Sequence, residues 1–207
     1  QTLRDAYDSV WPDLLAAYNV VFIFDLSAVA GSDDITEYSV VTSSGDQFSV
    51  LTTPILIDVR GLIAGKGGKG ADVDGAVEAG GPAILLRDPI RLSNTGVIGG
   101  GGGGGNFITS ADVTDADAAG GGGAGFENSL GGTGSGPSVI TQAQGGSNQI
   151  GGDGAFATSS STQAIGGRGG NLGSAGQFSG GAAGAAIALN GYTITYINTG
   201  TILGTVS

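Results

Sequence analysis

Three stretches of this 207-residue chain hold residue types that could do chemistry. The first, Gly65-Lys66-Gly67-Gly68-Lys69-Gly70, matches the G-x-G-x-x-G pattern that cradles a dinucleotide pyrophosphate. That chemistry requires the motif to open a helix whose N-terminus faces the phosphates, inside a βαβ unit. Ala71-Asp72-Val73-Asp74-Gly75 is a poor helix opening and no βαβ pattern follows, so the motif reads as glycine scaffold. The second stretch holds Asp112, Asp115 and Asp117, which could gather around calcium and its roughly six to eight oxygens. A solvated acidic loop is the simpler reading, and no metal site is expected. The third, Gly151-Gly152-Asp153-Gly154-Ala155-Phe156, resembles a calcium-binding nonapeptide repeat, but its Asp is misplaced and it has no tandem copy. No Gly-Lys pair is followed by Ser or Thr, so a Walker A loop is absent. The chain contains no Cys and no His, which excludes disulfides, the usual zinc sites, thiol chemistry and His-based catalysis. No carboxylate pair stands out for acid–base work, and the expectation is a non-enzyme without a cofactor.

The elements that must carry these residues follow from an unusual composition. Glycine supplies 44 of the 207 residues, several times its ordinary share of about 7%. The formal charge is −11, which removes any counterion-release route to nucleic acid or to anionic lipid. Hydrophobic residues at 40% and charged ones at 12% argue against ordinary disorder. Only five prolines and no sustained Gly-X-Y period argue against collagen. The longest apolar run, Val20–Phe24, is far short of the roughly 20 residues of a membrane span, and no signal peptide is visible. The chain begins at Gln1, from which we expect a processed or excised piece of a longer polypeptide.

Glycine and charge change together near residue 60. Only Gly31 and Gly45 precede it, leaving 42 of the 44 glycines beyond. The first 60 residues hold nine acids and two bases, net −7, and the rest nine acids and five bases, net −4. Residues 1–60 are therefore read as a small helix-plus-strand connecting region. Leu3, Tyr7, Val10, Trp11, Leu14, Leu15 and Tyr18 share one helical face, with Pro12 restarting the helix. Strand pattern follows at Asn19–Leu26, Thr36–Thr42, Gln47–Thr52 and Ile55–Val59, with turns at Gly31–Asp34 and Ser43–Asp46.

The glycine-rich remainder, 61–207, contains a repeat. Gly61-Leu62-Ile63-Ala64-Gly65, Gly96-Val97-Ile98-Gly99-Gly100 and Gly200-Thr201-Ile202-Leu203-Gly204 each follow a β-like run. Gly81–Leu86 aligns with Gly184–Leu189, and Asn94-Thr95-Gly96 with Asn198-Thr199-Gly200, one residue longer in the later copy. We read these as two related β-hairpins bracketing the glycine runs. Between them lie the runs themselves, including Gly99–Gly105 and the three-spaced Gly167, Gly170, Gly173 and Gly176. A flexible linker would lack the large residues scattered here, such as Phe126, Phe156 and Phe178. The ordered alternative is a stacked bundle of polyglycine II helices with three residues per turn. Such helices have no internal hydrogen bonds, so their backbones must pair laterally. Seven glycines then span roughly 22 Å at ~3.1 Å per residue. The predicted fold class is thus mostly β and irregular: a small N-terminal α+β piece, then a stacked polyglycine II sandwich bracketed by β-hairpins.

These residues resemble the glycine-rich adhesin domain of tailed-bacteriophage tail fibres and host-specificity tail-tip proteins. The likeness rests on Ile63–Gly70, on Ser93–Ile98 running into Gly99–Gly105, on Gly81-Pro82-Ala83-Ile84 and on the ending Ala186–Ser207. It covers about residues 55–207; the N-terminal third departs from the T-even pattern. The resemblance implies a virion location on the phage tail and a stacked polyglycine lattice whose intervening loops touch a bacterial surface receptor. Carried over, the lattice segments are 65–70, 99–105, 120–125, 131–136, 145–154, 166–176 and 180–184. Their glycines include Gly67, Gly70, Gly99, Gly101, Gly103, Gly105, Gly122, Gly125, Gly167, Gly170, Gly173 and Gly176. The implied receptor loops are 106–119, 126–130, 138–144, 155–163 and 177–179. They offer Asn106, Phe107, Ile108, Asp112, Phe126, Asn128, Leu130, Gln142, Phe156, Gln177 and Phe178 as contacts. Exposed aromatics among small polar residues suit recognition, since they give contact area at low entropy cost.

The implied partners are a bacterial outer-surface protein or glycan and other phage tail proteins, with a homotrimer allowed and no nucleic acid or membrane insertion. A structural tail-fibre or tail-tip domain, serving assembly or spacing, is the alternative. An ice-binding glycine bundle ranks below both, because its face should be flat and repetitive and these loops are irregular.

Overall fold

A computed structural model of the chain describes residues 3, 21–42, 54–72, 75–109, 117–126, 129–133, 139–159 and 162–207. Apart from Leu3, which is helical, these residues are strands, turns and extended irregular backbone. The remaining positions of the predicted amphipathic helix, the Gln47–Thr52 strand, and Asp112, Asp115 and Asn128 lie outside the described residues.

Four passes of the chain build three parallel sheets. The first pass supplies β1 (Val21–Phe24), β2 (Val29–Gly31) and β3 (Val40–Val41), and the second β4 (Ile55–Val59), β5 (Leu62–Ala64) and β6 (Ile84–Leu85). The third pass supplies β7 (Ile90–Asn94) and β8 (Val97–Gly99), and reaches the third sheet only after a long excursion; the fourth supplies two strands near the C-terminus. Those strands are numbered in chain order. Two short antiparallel strands, β9 (Ile108–Thr109) and β10 (Asp117–Ala118), come first in the excursion. A three-stranded antiparallel sheet follows, made of β11 (Val139–Thr141), β12 (Phe156–Ser159) and β13 (Thr162–Ile165). Then come β14 (Ile187–Ala188), β15 (Ile194–Asn198) and β16 (Thr201–Leu203).

The sheets read β1-β4-β7-β15, β2-β5-β8-β16 and β3-β6-β14, with Val206 bridging Ile187 in parallel to complete the fourth pass. The repeat seen in the sequence is one of these sheets. Leu62 pairs with Val97 and Val97 with Thr201, while Ile63, Ile98 and Ile202 fall in register. The bracketing units are not hairpins. The turns at Arg60-Gly61, Thr95-Gly96 and Thr199-Gly200 carry the chain from one sheet into the next, and each strand pairs in parallel with the pass before it.

The alternation of Ile55, Ile57 and Val59, and of Ile90 and Leu92, turns those residues inward, where they meet Ile63, Ile98, Ile84 and Ile187, all essentially fully buried. Each such side chain contributes about 1.5–3 kcal/mol by leaving water. Leu3 belongs to this core as well. Besides Thr42, Asn94 is a polar exception. Completely buried at a corner, its Nδ2 donates to the carbonyls of Thr199 (2.8 Å) and Thr201 (3.1 Å), and its Oδ1 accepts from Gly96 N (3.1 Å).

Glycine segments leave the sheets between β5 and β6 and between β8 and β14. They bond to one another with a period of three, shown best by residues 99–106. Gly101 and Gly104 donate to Gly81 and Glu78; Gly102 and Gly105 donate to Ala124 and Gly121; Gly103 and Asn106 donate to Ser174 and Gln177. The same segment accepts from Gly65, Gly68 and Ala71, from Gly167, Gly170 and Gly173, and from Gly181 and Gly184. Six neighbours therefore surround it, and every buried backbone group finds a partner.

The spacing leaves no room for side chains in the interior. A Cβ on Gly103 would lie 1.7 Å from the Gly181 carbonyl oxygen, on Gly105 2.1 Å from that of Gly167, and on Gly67 2.2 Å from that of Gly123. On the outer segment 65–71 every third residue faces outward instead, which is why Lys66 and Lys69 are tolerated among glycines. Two expected segments are not continuous. Residues 145–154 reverse at Ser147–Ile150, where Ser147 N donates to Ile150 O (2.8 Å). Residues 166–176 reverse at Leu172-Gly173, where Gly173 has φ +68° and Leu172 packs against Gly99. The three-spaced Gly167, Gly170, Gly173 and Gly176 thus lie on two runs. One segment escaped the sequence reading: Glu78–Gly81, which donates to 65–71 through Glu78 and Gly81 and accepts from Gly101 and Gly104 of 99–105.

Candidate functional site

Hydrogen-bond registers give the glycine segments two ends. Gly65, Gly81, Gly99, Gly125 and Gly184 lie toward the parallel sheets. Ala71, Asn106, Ala119, Gly132, Ala155, Gly166 and Gln177 lie at the far end, linked by bonds such as Ala155 N to Ala119 O and Gly166 N to Ala155 O (both 2.8 Å). The far end is where the chain departs into β9–β10, β11–β13 and the turn Gln177–Gly180.

Small side chains seat these pieces. Ala118, Ala119, Ala155, Ala157 and Ala164 form a buried cluster under the tip. Strand β13 packs against β9 and β10, and β10 against β12. The hairpin β12–β13 pairs Phe156 with Ile165 and Ala157 with Ala164, so one face is alanine in the cluster and the other carries the larger residues. Strand β11 joins through a bulge at Val139/Thr141, where Thr141 Oγ1 accepts from Phe156 N (3.1 Å).

Of the expected contact residues, Asn106, Phe107, Ile108, Gln142, Phe156, Gln177 and Phe178 are brought to this end. Phe178 and Ile165 are half-exposed, at 53% and 55%. Phe126 is not with them. It bridges to Lys66 at the sheet end and packs so closely on β2 that a Cβ on Gly31 would strike its ring. Leu130 is exposed on the flank of the segments, its carbonyl accepting from Gly70 N (3.1 Å).

Two of the polar residues at the tip are occupied by the protein itself. Asn106 donates from Nδ2 to the Phe178 carbonyl (3.1 Å) and accepts at Oδ1 from Phe107 N (2.9 Å). Gln177 Oε1 accepts from Arg168 N (3.2 Å), and Arg168 Nε lies 3.1 Å from Asp153 Oδ1. The turn these residues hold is strained. Gly180 N donates to Gln177 O (3.1 Å), and the two central residues, Phe178 and Ser179, both have φ of 56°. Non-glycine residues in that region cost on the order of 1–3 kcal/mol each and persist only where the surroundings over-determine them.

The contact of Asp72 with Gly75, missed in the sequence, also lies at this end, Gly75 N donating to Asp72 O (2.9 Å). Asp72 is the key residue: Oδ2 accepts from Lys69 Nζ (2.6 Å) and Oδ1 from Thr133 N (2.7 Å), tying two loops together. The Lys69 hydrogen bond first, and that from Thr133 next, hold its carboxyl below the usual value of 3.8. The three-residue spacing of Lys69 and Asp72 was the signal, since a threefold backbone puts both on one face. Lys69 and Glu78 otherwise serve this scaffold, Glu78 Oε2 accepting from Lys69 N (3.1 Å), and the G-x-G-x-x-G motif opens no helix. Among the described residues no group of side chains is arranged to hold a metal ion, and no helix is long and apolar enough to cross a membrane. An open groove of about 680 Å³ lies at the sheet end, lined by Leu26, Val29, Arg60, Val97 and Ile150, away from the tip.

Across residues 1–207 the sequence matches the family model of the phage tail fibre adhesin Gp38. The chain belongs to this family. The adhesin is therefore a receptor-binding protein of the bacteriophage tail fibre, located on the virion tail. Among solved structures it is similar to a chain of the gp37–gp38 adhesin tip complex of the bacteriophage S16 long tail fibre. Identity is 25% with a TM-score of 0.66, covering 97% of this chain and 76% of that one. No curated protein matches it in sequence.

Proposed function

We propose that the adhesin touches its bacterial receptor, an outer-surface protein or glycan, with the loops gathered at the far end of the glycine segments. Phe107, Ile108, Gln142, Phe156 and Phe178 are the contacts. The observation that carries this reading is the convergence there of loops far apart in sequence, with an aromatic side chain half-exposed on a stiff support. The support is a polyglycine II bundle, a reading favoured by the threefold cycle of lateral bonds around 99–106. No catalytic role is assigned. Phe126 is left out of the contact set, since it packs on the first pass.

Residues 1–60 serve as the connecting region and 61–207 as the adhesin domain. The relative of known structure is a complex with a second tail-fibre protein, and this chain is read as joining such a protein in turn. Val21, Ile23, Leu26 and Val29, exposed on the outermost strands β1 and β2 and the turn between them, are the apolar surface offered to that partner.

Purified adhesin should block adsorption of the parent phage to its host, and exchange of residues 106–119 should change host range. Unchanged adsorption at saturating protein would count against the reading. Loop exchange that spares binding and disturbs tail assembly would favour the spacer alternative.

A further inference from the structure

The turn Gln177–Gly180 is a backbone that its own sequence does not favour. Its bond from Gly180 N to Gln177 O, with φ of 56° at both Phe178 and Ser179, gives it the signs of a type I′ turn, which Asn-Gly adopts readily and Phe-Ser does not. A bulky residue is held left-handed, with its side chain in solvent, only if something outside the turn holds it. Two bonds from Asn106 do so: its backbone N donates to Gln177 O (3.2 Å) and its side-chain Nδ2 to Phe178 O (3.1 Å). Its Oδ1 is taken by Phe107 N (2.9 Å), so the carboxamide ties the 106–109 loop to the 177–180 turn.

We propose that Asn106 is a positioning residue for receptor binding: it fixes the left-handed turn that presents Phe178, and Phe178 is the anchor that determines specificity. The inference rests on the receptor reading above. It assigns the tip an apolar, preorganised contact in which Asn106 acts through Phe178. A rigid aromatic gives its area to a partner without losing rotamer freedom on binding.

The test is a double-mutant cycle in the full-length protein, Asn106→Ala, Phe178→Ala and both, read as inhibition of phage adsorption to host cells. Each single substitution should weaken inhibition about tenfold, and the pair should be no worse than the weaker single, because both remove the same contact. Losses that multiply to about a hundredfold would overturn the proposal by showing that Asn106 meets the receptor independently. So would full inhibition by either single variant.

Two readouts separate positioning from general damage. Asn106→Ala should raise hydrogen exchange at Gly180 N–H at least tenfold while exchange at Gly102 and Gly105 stays unchanged. Adding Ser179→Gly, which removes one residue's cost of positive φ, should recover inhibition several-fold. Unchanged exchange at Gly180, or no recovery, would overturn the clamp. If wild-type protein itself fails to inhibit adsorption, the receptor reading falls, and exchange at Gly180 still decides whether Asn106 holds the turn.

Discussion

Substituting Gly101 by alanine places a Cβ 1.8 Å from the carbonyl oxygen of Lys66, 2.5 Å from its carbon and 3.0 Å from Gly81 N. Ordinary contact begins near 3.4 Å, so one backbone must retreat by 3.4 − 1.8 = 1.6 Å. No flexible side chain can yield, because the obstacle is backbone on both sides. The bonds at risk are Gly81 N to Lys66 O (2.7 Å), Gly101 N to Gly81 O (2.8 Å) and Gly68 N to Gly102 O (2.9 Å). A buried backbone group left unpaired costs about 1–3 kcal/mol. Losing two or three of these bonds, less about 0.4–1 kcal/mol regained from the stiffer unfolded chain, gives a net loss of roughly 3–5 kcal/mol. At about 2–4 °C per kcal/mol for a chain of this size, the melting temperature should fall by roughly 6–20 °C. Differential scanning calorimetry measures it directly. Ala182→Ser, whose side chain already faces solvent on the same bundle, should stay within about 0.5 kcal/mol of wild type. A Gly101→Ala protein melting within a degree or two of wild type would refute close backbone packing as the origin of order here.

The Asn94 corner should respond differently to its two conservative changes. Asn94→Ala should destabilise by about 2–3 kcal/mol in denaturant titration, from the loss of its bonds to Thr199, Thr201 and Gly96. Asn94→Asp should do worse, since it turns a donor facing two carbonyls into a charged acceptor. For Asp72, the depressed carboxyl sets the direction of a pH effect. Its contribution is present above its unfolded value near 3.8 and is lost as pH falls through the lower folded value. Exchange protection of Thr133 N–H should therefore hold at pH 5 and decline below about pH 4. Protection that declines between pH 5 and 7 would contradict the assignment.

Much of the scaffold was legible because glycine has a distinctive physics. Runs such as Gly99–Gly105 admit close lateral pairing and little else, so their place in the interior followed from composition and spacing. The repeat of Gly61–Gly65, Gly96–Gly100 and Gly200–Gly204 marked three strands of one sheet. The units Gly81–Thr95 and Gly184–Thr199 are not the expected hairpins, since β6 and β7, like β14 and β15, lie in different sheets. Two β-runs joined by a short turn suggest a hairpin, while a corner between sheets has the same local sequence. What separates them is the partner about 35 residues away, as in Ile55 with Ile90. The first pass carried no visible repeat, since a longer connection, Asp25–Ala28, stands where the later passes turn at glycine. At the tip, the aromatic residues were found by composition, while Phe126 was misplaced because loop order alternates between the two ends. The use of Asn106 and Gln177 as internal clamps depends on contacts about 70 and 10 residues away, which no local pattern reports.

Site-specific photo-crosslinking on host cells tests the central claim most directly. A photoreactive phenylalanine analogue at position 178, on the tip, is compared with one at Ile197, exposed on β15 at the sheet end. Our account predicts a covalent adduct to a bacterial outer-surface molecule from position 178 and none from position 197. Adducts from 197 with none from 178 would contradict it.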